Sequence, residues 1–266
     1  VTADINGGGI VGSMAIEYDF DPEDDIKNKG DKSLKFTYKT MCVVLRCKND
    51  GAVNLKKNYG GGVVGRMDLG SILLCENYGD VANDDGSYTG GIAGMSDTVI
   101  RNSAVKCGLS GGDYIGGVAG KADTVSGSYT LVNISDSGEF AGAVAGDADK
   151  DKLSNNFFVS DTWGGIDDIT YTGAAENTDI DNFVRYAKAS YGTDIVFELV
   201  FMADDKEISR LNFNYKDKIP EEQIPAVPEK SGYYGKWSSY NFDEATHDAV
   251  INAEYYRDIS LVESSL

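Results

Sequence analysis

The sequence predicts an all-β chain, a parallel β-solenoid of about five coils followed by a small β module. Three observations carry that reading. A five-residue glycine motif recurs at a near-constant interval. Apolar positions around it alternate with the two-residue period of strands. Glycine then gives way to proline at one point in the chain: of 32 glycines only Gly192, Gly232 and Gly235 follow Gly173, while three of the four prolines, Pro220, Pro225 and Pro228, lie late. Such a shift marks a domain boundary.

The motif Gly-Gly-(Ile/Val)-(Val/Ala)-Gly occupies 8–12, 61–65, 90–94 and 116–120, and returns as Gly-Ala-Val-Ala-Gly at 142–146. The first interval is 53 residues and the next three are 29, 26 and 26. A second anchor explains the long one, since Cys47-Lys-Asn-Asp-Gly-Ala-Val matches Cys75-Glu-Asn-Tyr-Gly-Asp-Val. The first repeat therefore carries an insertion near 14–40. Its two alternating stretches predict a protruding hairpin with an acidic tip.

The repeats define columns. Two residues before the first glycine stand Tyr59, Tyr88, Tyr114 and Phe140, and two after it stand Ile10, Val63, Ile92, Val118 and Val144. Strand alternation puts aromatic, glycine and aliphatic on one face, so both columns are expected as buried ladders. The first glycine would leave room between its bulky neighbours. Cys47 and Cys75 share a column on adjacent coils and are expected as stacked free thiols. The segment Trp163-Gly-Gly-Ile reads as a degenerate sixth copy. Between Asp179 and Ala189, Ile180, Phe183, Val184 and Ala187 fall at helical spacing, with Asp179 or Asp181 as N-cap. The expected organisation is a solenoid over 1–175, a capping helix over 176–192 and a small module over 193–266.

Composition limits function. The net charge of -19 argues against nucleic acid and against anionic lipid. No stretch approaches the ~20 apolar residues of a membrane span. The single histidine, His247, excludes metal sets built on histidine pairs. No Gly-x-Ser-x-Gly elbow or catalytic cysteine context accompanies it. The start at Val1, without Met or a leader pattern, reads as an excerpt or a mature form.

The residues Gly90–Gly94, then Val-Ile-Arg-Asn-Ser at 99–103, then Gly111–Gly120 resemble the GLUG motif of bacterial surface and secreted proteins. The likeness runs over roughly residues 5–160. It implies a parallel β-solenoid on an extracellular bacterial protein, often from gut Gram-positive organisms. Residues 194–256 are similar to the Listeria–Bacteroides repeat, the β-grasp-like module of internalin-type B repeats. The likeness rests on Ile224-Pro-Ala-Val-Pro-Glu-Lys-Ser-Gly-Tyr-Tyr-Gly-Lys-Trp and the strand Val-Ile-Asn-Ala-Glu-Tyr at 250–255. Asp204-Asp205 departs from the family's first turn. That resemblance implies a spacer or adhesive unit without catalytic residues.

Three groups are candidate sites. Asp19, Asp21 and Asp24 form one acidic cluster, and Asp147, Asp149 and Asp151 another. Either offers oxygen ligands to calcium, but solvated polar turns are the favoured reading and no cofactor is expected. Tyr233, Tyr234, Trp237 and Tyr240 form an aromatic cluster, with Trp237 expected in the core and one or two tyrosines exposed as a contact surface. The aromatic column is a further possible sugar platform, with an interior ladder the favoured reading. The expectation is a non-enzymatic surface segment, a stalk or adhesion module for an unknown glycan or protein ligand. The alternative is an accessory region of a larger secreted peptidase or glycan-active enzyme.

Overall fold

The computed structural model describes residues 1–15, 42–84 and 86–257. The expected hairpin near 14–40 and the candidates Asp19, Asp21 and Asp24 fall almost wholly outside them. The chain divides into two compact units, Val1–Tyr186 and Ala187–Leu266.

The first unit is a parallel β-solenoid of about four turns. Its walls are three parallel sheets. One is made of the short glycine strands Gly7–Gly8, Gly60–Gly61, Thr89–Gly90, Ile115–Gly116 and Ala141–Gly142. A second is led by Ala93–Arg101 and Ala119–Ser126, and a third by Ala104–Ser110 and Tyr129–Asp136. The coil count is lower than expected because five glycine rungs enclose only four complete turns. The degenerate sixth copy adds a partial rung: Gly164 and Gly165 accept from Ala143 and Val144 at 2.7 and 2.8 Å. These two acceptors are adjacent in sequence, whereas their counterparts Gly142 and Val144 are separated by Ala143.

Register follows the repeat, with Gly61, Gly90, Gly116 and Gly142 paired in succession. Like residues therefore stack on like. Val63, Ile92, Val118 and Val144 are fully buried, facing further ladders such as Ile72–Ile100–Val125 and Val81–Leu109–Ile134. No single coil can bury these side chains; each stacked neighbour does. Ile10 departs from its column and is 48% exposed. Gly7–Gly8 is the terminal strand of its sheet, so no described coil lies beyond Ile10 to cover it.

The glycines have steric causes other than room between bulky neighbours. A Cβ on Gly90 would meet the Ala93 carbonyl oxygen at 2.0 Å, and one on Gly116 the Ala119 oxygen at 1.9 Å. The coil turns so tightly that the carbonyl three residues on occupies the side-chain position. The second glycine faces the opposite wall: a Cβ on Gly91 would lie 2.4 Å from Val105, and one on Gly62 2.2 Å from Asn77.

One inner column is polar, and its members satisfy one another. The Cys75 N–H donates to Ser103 Oγ, the Ser103 N–H to Ser128 Oγ, and the Ser128 N–H to Asn156 Oδ1, at 3.4, 3.2 and 3.1 Å. Each side chain thus receives a backbone donor that the corner would otherwise leave unpaired.

The helix Ile180–Tyr191 begins where expected. The Asp179 carboxylate accepts from the Asn182 N–H at 2.7 Å, and Gly192 ends the helix at φ 76°. Phe183 and Ala187 are buried, while Arg185 and Lys188 are exposed. A contact that the apolar spacing missed comes from Tyr186. Its ring stacks on Tyr129 at 3.9 Å, and its hydroxyl donates to the Gly127 carbonyl at 2.9 Å.

The second unit holds a four-stranded mixed sheet in the order Lys206–Asn214, Val196–Ala203, Ala249–Arg257, Tyr233–Trp237. Its central pair is parallel and its outer pairs antiparallel. Asp204 and Asp205, at φ 45° and 60°, make the first hairpin turn with both central residues left-handed. Phe197, Leu199, Phe201, Phe213 and Ile251 are buried on one face of this sheet.

Candidate binding surfaces

The aromatic column is a ladder, but an outer one. Tyr59, Tyr88, Tyr114 and Phe140 are only partly buried, which corrects the expected interior position. The cause is the backbone: their φ angles are 71°, 68°, 63° and 59°. A residue in the left-handed region breaks strand alternation, so the rings leave the face that holds the aliphatic ladder. Successive centroids lie 5.0, 4.6 and 4.8 Å apart, with planes 18°, 8° and 8° from parallel. These spacings exceed the ~3.5–4.0 Å of direct carbon contact. Near-parallel rings at such distances are offset stacks, in which Tyr88 and Tyr114 each have a neighbouring ring over both faces.

Among the described residues, two cations border the ladder. The Arg66 guanidinium lies 5.2 Å from the Tyr59 centroid, and the Lys121 ammonium 5.7 Å from that of Tyr114. Each is held by a carboxylate, Arg66 by both oxygens of Asp68 at 2.7 and 3.0 Å and Lys121 by Asp147 at 2.6 Å. Those hydrogen bonds raise the pKa of both bases. The Tyr88 phenol is also pushed up, first by burial and then by its neighbours Tyr114 and Tyr59.

The second acidic cluster does not converge. Asp147 is paired with Lys121, Asp149 caps a short turn by accepting from the Asp151 N–H, and Asp151 pairs with Lys150 at 2.6 Å. Among the described residues no three acidic, histidine or cysteine side chains are grouped to hold a metal ion. The structure thus gives each of these aspartates a separate local partner.

The aromatic cluster of the small module is divided. Trp237 packs edge-on against Phe201 at 5.2 Å, and its Nε1–H donates to the Pro225 carbonyl at 2.6 Å. Tyr240 is half-buried, its hydroxyl donating to the His247 carbonyl at 2.9 Å. Tyr233 and Tyr234 are 43% and 58% exposed. Tyr234 pairs across the strands with Tyr256, centroids 5.5 Å apart, a partner that composition alone did not single out. The signal was present in the register, since Tyr256 lies directly opposite Tyr234.

His247 hydrogen-bonds through Nδ1 with the Thr246 hydroxyl at 3.1 Å and rests against the Tyr240 ring. Cys47 and Cys75 are unbridged, and their thiols donate to backbone carbonyls, Cys47 to Leu45 and Cys75 to Leu73 and Val44. Burial pushes the Cys75 thiol up to about 11 and that of Cys107 higher still. Such thiols are poor nucleophiles, because the reactive thiolate is not formed near neutrality.

No family model, curated protein or solved structure matches the chain.

Proposed function

We propose that the chain is a non-enzymatic extracellular segment of a bacterial cell-surface protein, with the solenoid as stalk and adhesion module and the small unit as a β-grasp-like spacer or adhesive unit. The observation that carries this reading is the aromatic ladder, four partly exposed rings in line across the coils of a continuously hydrogen-bonded solenoid. A stack of coils with like residues in register is stiff along its length and repeats one surface chemistry along its side. Ordered aromatic rings are the side chains from which adhesive contacts are commonly built. The likeness of the repeats to GLUG motifs, and of residues 194–256 to internalin-type repeats, points the same way. The ionic groups around the ladder are engaged in pairs, and the inner columns are glycine, aliphatic residues and mutually bonded polar groups. That is the make-up of a support. The test is antibody labelling of intact cells that carry the gene. Labelling without permeabilisation is expected; labelling only after permeabilisation overturns the proposal.

A further inference from the structure

We propose that the open face of the four-stranded sheet in the second unit is a self-association surface, and that its occupant is the same face of a second copy of this chain. The inference is independent of the surface reading above. Strand alternation sends Phe197, Leu199, Phe201, Phe213 and Ile251 to the buried side of the sheet. Register puts the remaining set on the other side: Val200 lies beside Val250, Met202 beside Asn252, and Tyr234 opposite Tyr256. Val196, Tyr234, Val250 and Tyr256 are 50%, 58%, 59% and 42% exposed, and Val200 and Met202 are half-buried. A sheet side that faces water is expected to read polar. Apolar and aromatic side chains gathered on one such side mark a contact surface.

Charge selects the kind of partner. Among the described residues, the ionic groups of this face engage one another: Arg210 holds Glu198 at 2.7 Å and Glu207 at 2.9 Å, and Lys236 holds Glu254 at 3.4 Å. A strongly charged ligand finds no countercharge left over, whereas an apolar face leaves those pairs intact. Two chains of -19 repel each other at long range, so they meet most easily through a patch that carries almost none of that charge. Symmetry selects the second copy. Val250 and Tyr256 stand three residues either side of Ala253 on one strand. Two such strands laid face to face and antiparallel, crossing at Ala253, set Val250 of each copy on Tyr256 of the other. The Asn252 amide then meets the Glu254 carboxylate across the same axis. A surface complementary to itself in this way closes as a two-fold dimer. Four strands ~4.8 Å apart and about seven residues long give a footprint of roughly 400 Å². That is about half of the ~800 Å² that each partner gives to a standard interface, so the dimer is a weak one.

Sedimentation equilibrium of the whole chain from about 10 µM to about 1 mM reads the proposal, with a dimer expected at a dissociation constant on the order of 100 µM. Raising NaCl from about 0.05 to about 0.5 M should tighten it, because salt screens the repulsion between like-charged chains while the apolar contact remains. Tyr234→Glu with Val250→Glu places like charges across the axis and should weaken association at least about tenfold, with the melting temperature unchanged. Tyr233→Ser is the control on the opposite side of the same strand, and should leave association unaltered. Ile10→Glu, at a 48% exposed position of the first unit, should also leave it unaltered. A monomer throughout the range, association that weakens with salt, or unchanged association in the Glu pair overturns the surface. So does a dimer that is lost in Ile10→Glu and kept in the Glu pair. The concentration and salt series use the unaltered chain, so they decide the matter even if the Glu pair does not fold.

Discussion

Tyr88 and Tyr114 lie 26 residues apart in sequence, yet their ring centroids are 4.6 Å apart and their planes 8° from parallel. Both sit in the left-handed backbone region, at φ 68° and 63°. That conformation costs an ordinary residue roughly 1–2 kcal/mol. One stacked aromatic pair returns about 0.5–1.5 kcal/mol beyond area burial. Each inner ring shares two stacks, so strain and stacking are of similar size and the ladder holds the turn that positions it.

Tyr88→Ala keeps the strain and loses both stacks, so it should destabilise the solenoid by about 2 kcal/mol. Tyr88→Asn relieves the strain and should cost roughly half as much. Urea unfolding of the two variants checks the order, and an Asn variant less stable than the Ala variant counts against it.

The raised phenol of Tyr88 predicts a loss of stability in alkali. The folded state holds this proton more tightly than the unfolded chain does. Its contribution is therefore complete below the ordinary phenol range and fades as pH rises through it, above about pH 10. Melting temperature followed through that range should fall less steeply in Tyr88→Phe than in the parent. Parallel slopes would show that burial in the ladder does not reach this hydroxyl.

Gly116→Ala should be among the most damaging single changes, because its Cβ would stand 1.9 Å from the Ala119 carbonyl oxygen and only backbone can yield. A loss of about 3 kcal/mol or more is expected. Gly173→Ala is the comparison. It has open space around the added atom but a φ of 82°, and should cost on the order of 1 kcal/mol. Equal losses in chemical denaturation would remove the close-approach explanation.

Ile92→Ala opens a cavity in the fully buried ladder and should cost about 2–5 kcal/mol. Ile10→Ala, in the same sequence column but 48% exposed, should stay within about 0.5 kcal/mol. A large effect at Ile10 would mean that the first coil is covered in solution.

The cysteine column can be tested by thiol counting. Unfolded, unreduced protein should titrate all four cysteines as free, with Cys75 and Cys107 reacting slowly in the folded state because burial raises both. Cys75→Ser should fold normally, since Ser103 and Ser128 already fill that column. A mapped bridge between Cys47 and Cys75 would overturn this reading.

The solenoid was legible in the residues because its repeat is long, regular and tied to glycine. Spacing alone placed Val63, Ile92, Val118 and Val144 in one buried ladder, with Ile10 wrongly among them, and left Asp179 and Asp181 as alternatives for the head of the helix. Strand alternation, carried through the motif, put Tyr59, Tyr88, Tyr114 and Phe140 inside as well. A two-residue period holds only while the backbone stays extended, and nothing in the composition of the motif announces the left-handed residue before each glycine rung. The turn comes from the tight corner that the next coil's hydrogen bonds impose, so the outward ladder exists only in the stack. Burial of Ile92 and exposure of Ile10 are likewise the same residue type at the same motif position, separated by whether another described coil lies above. The sequence by itself determined the period and the columns. Only the tertiary structure decided which columns face water and which aromatic pairs meet, because both depend on neighbours a full turn or a whole strand away.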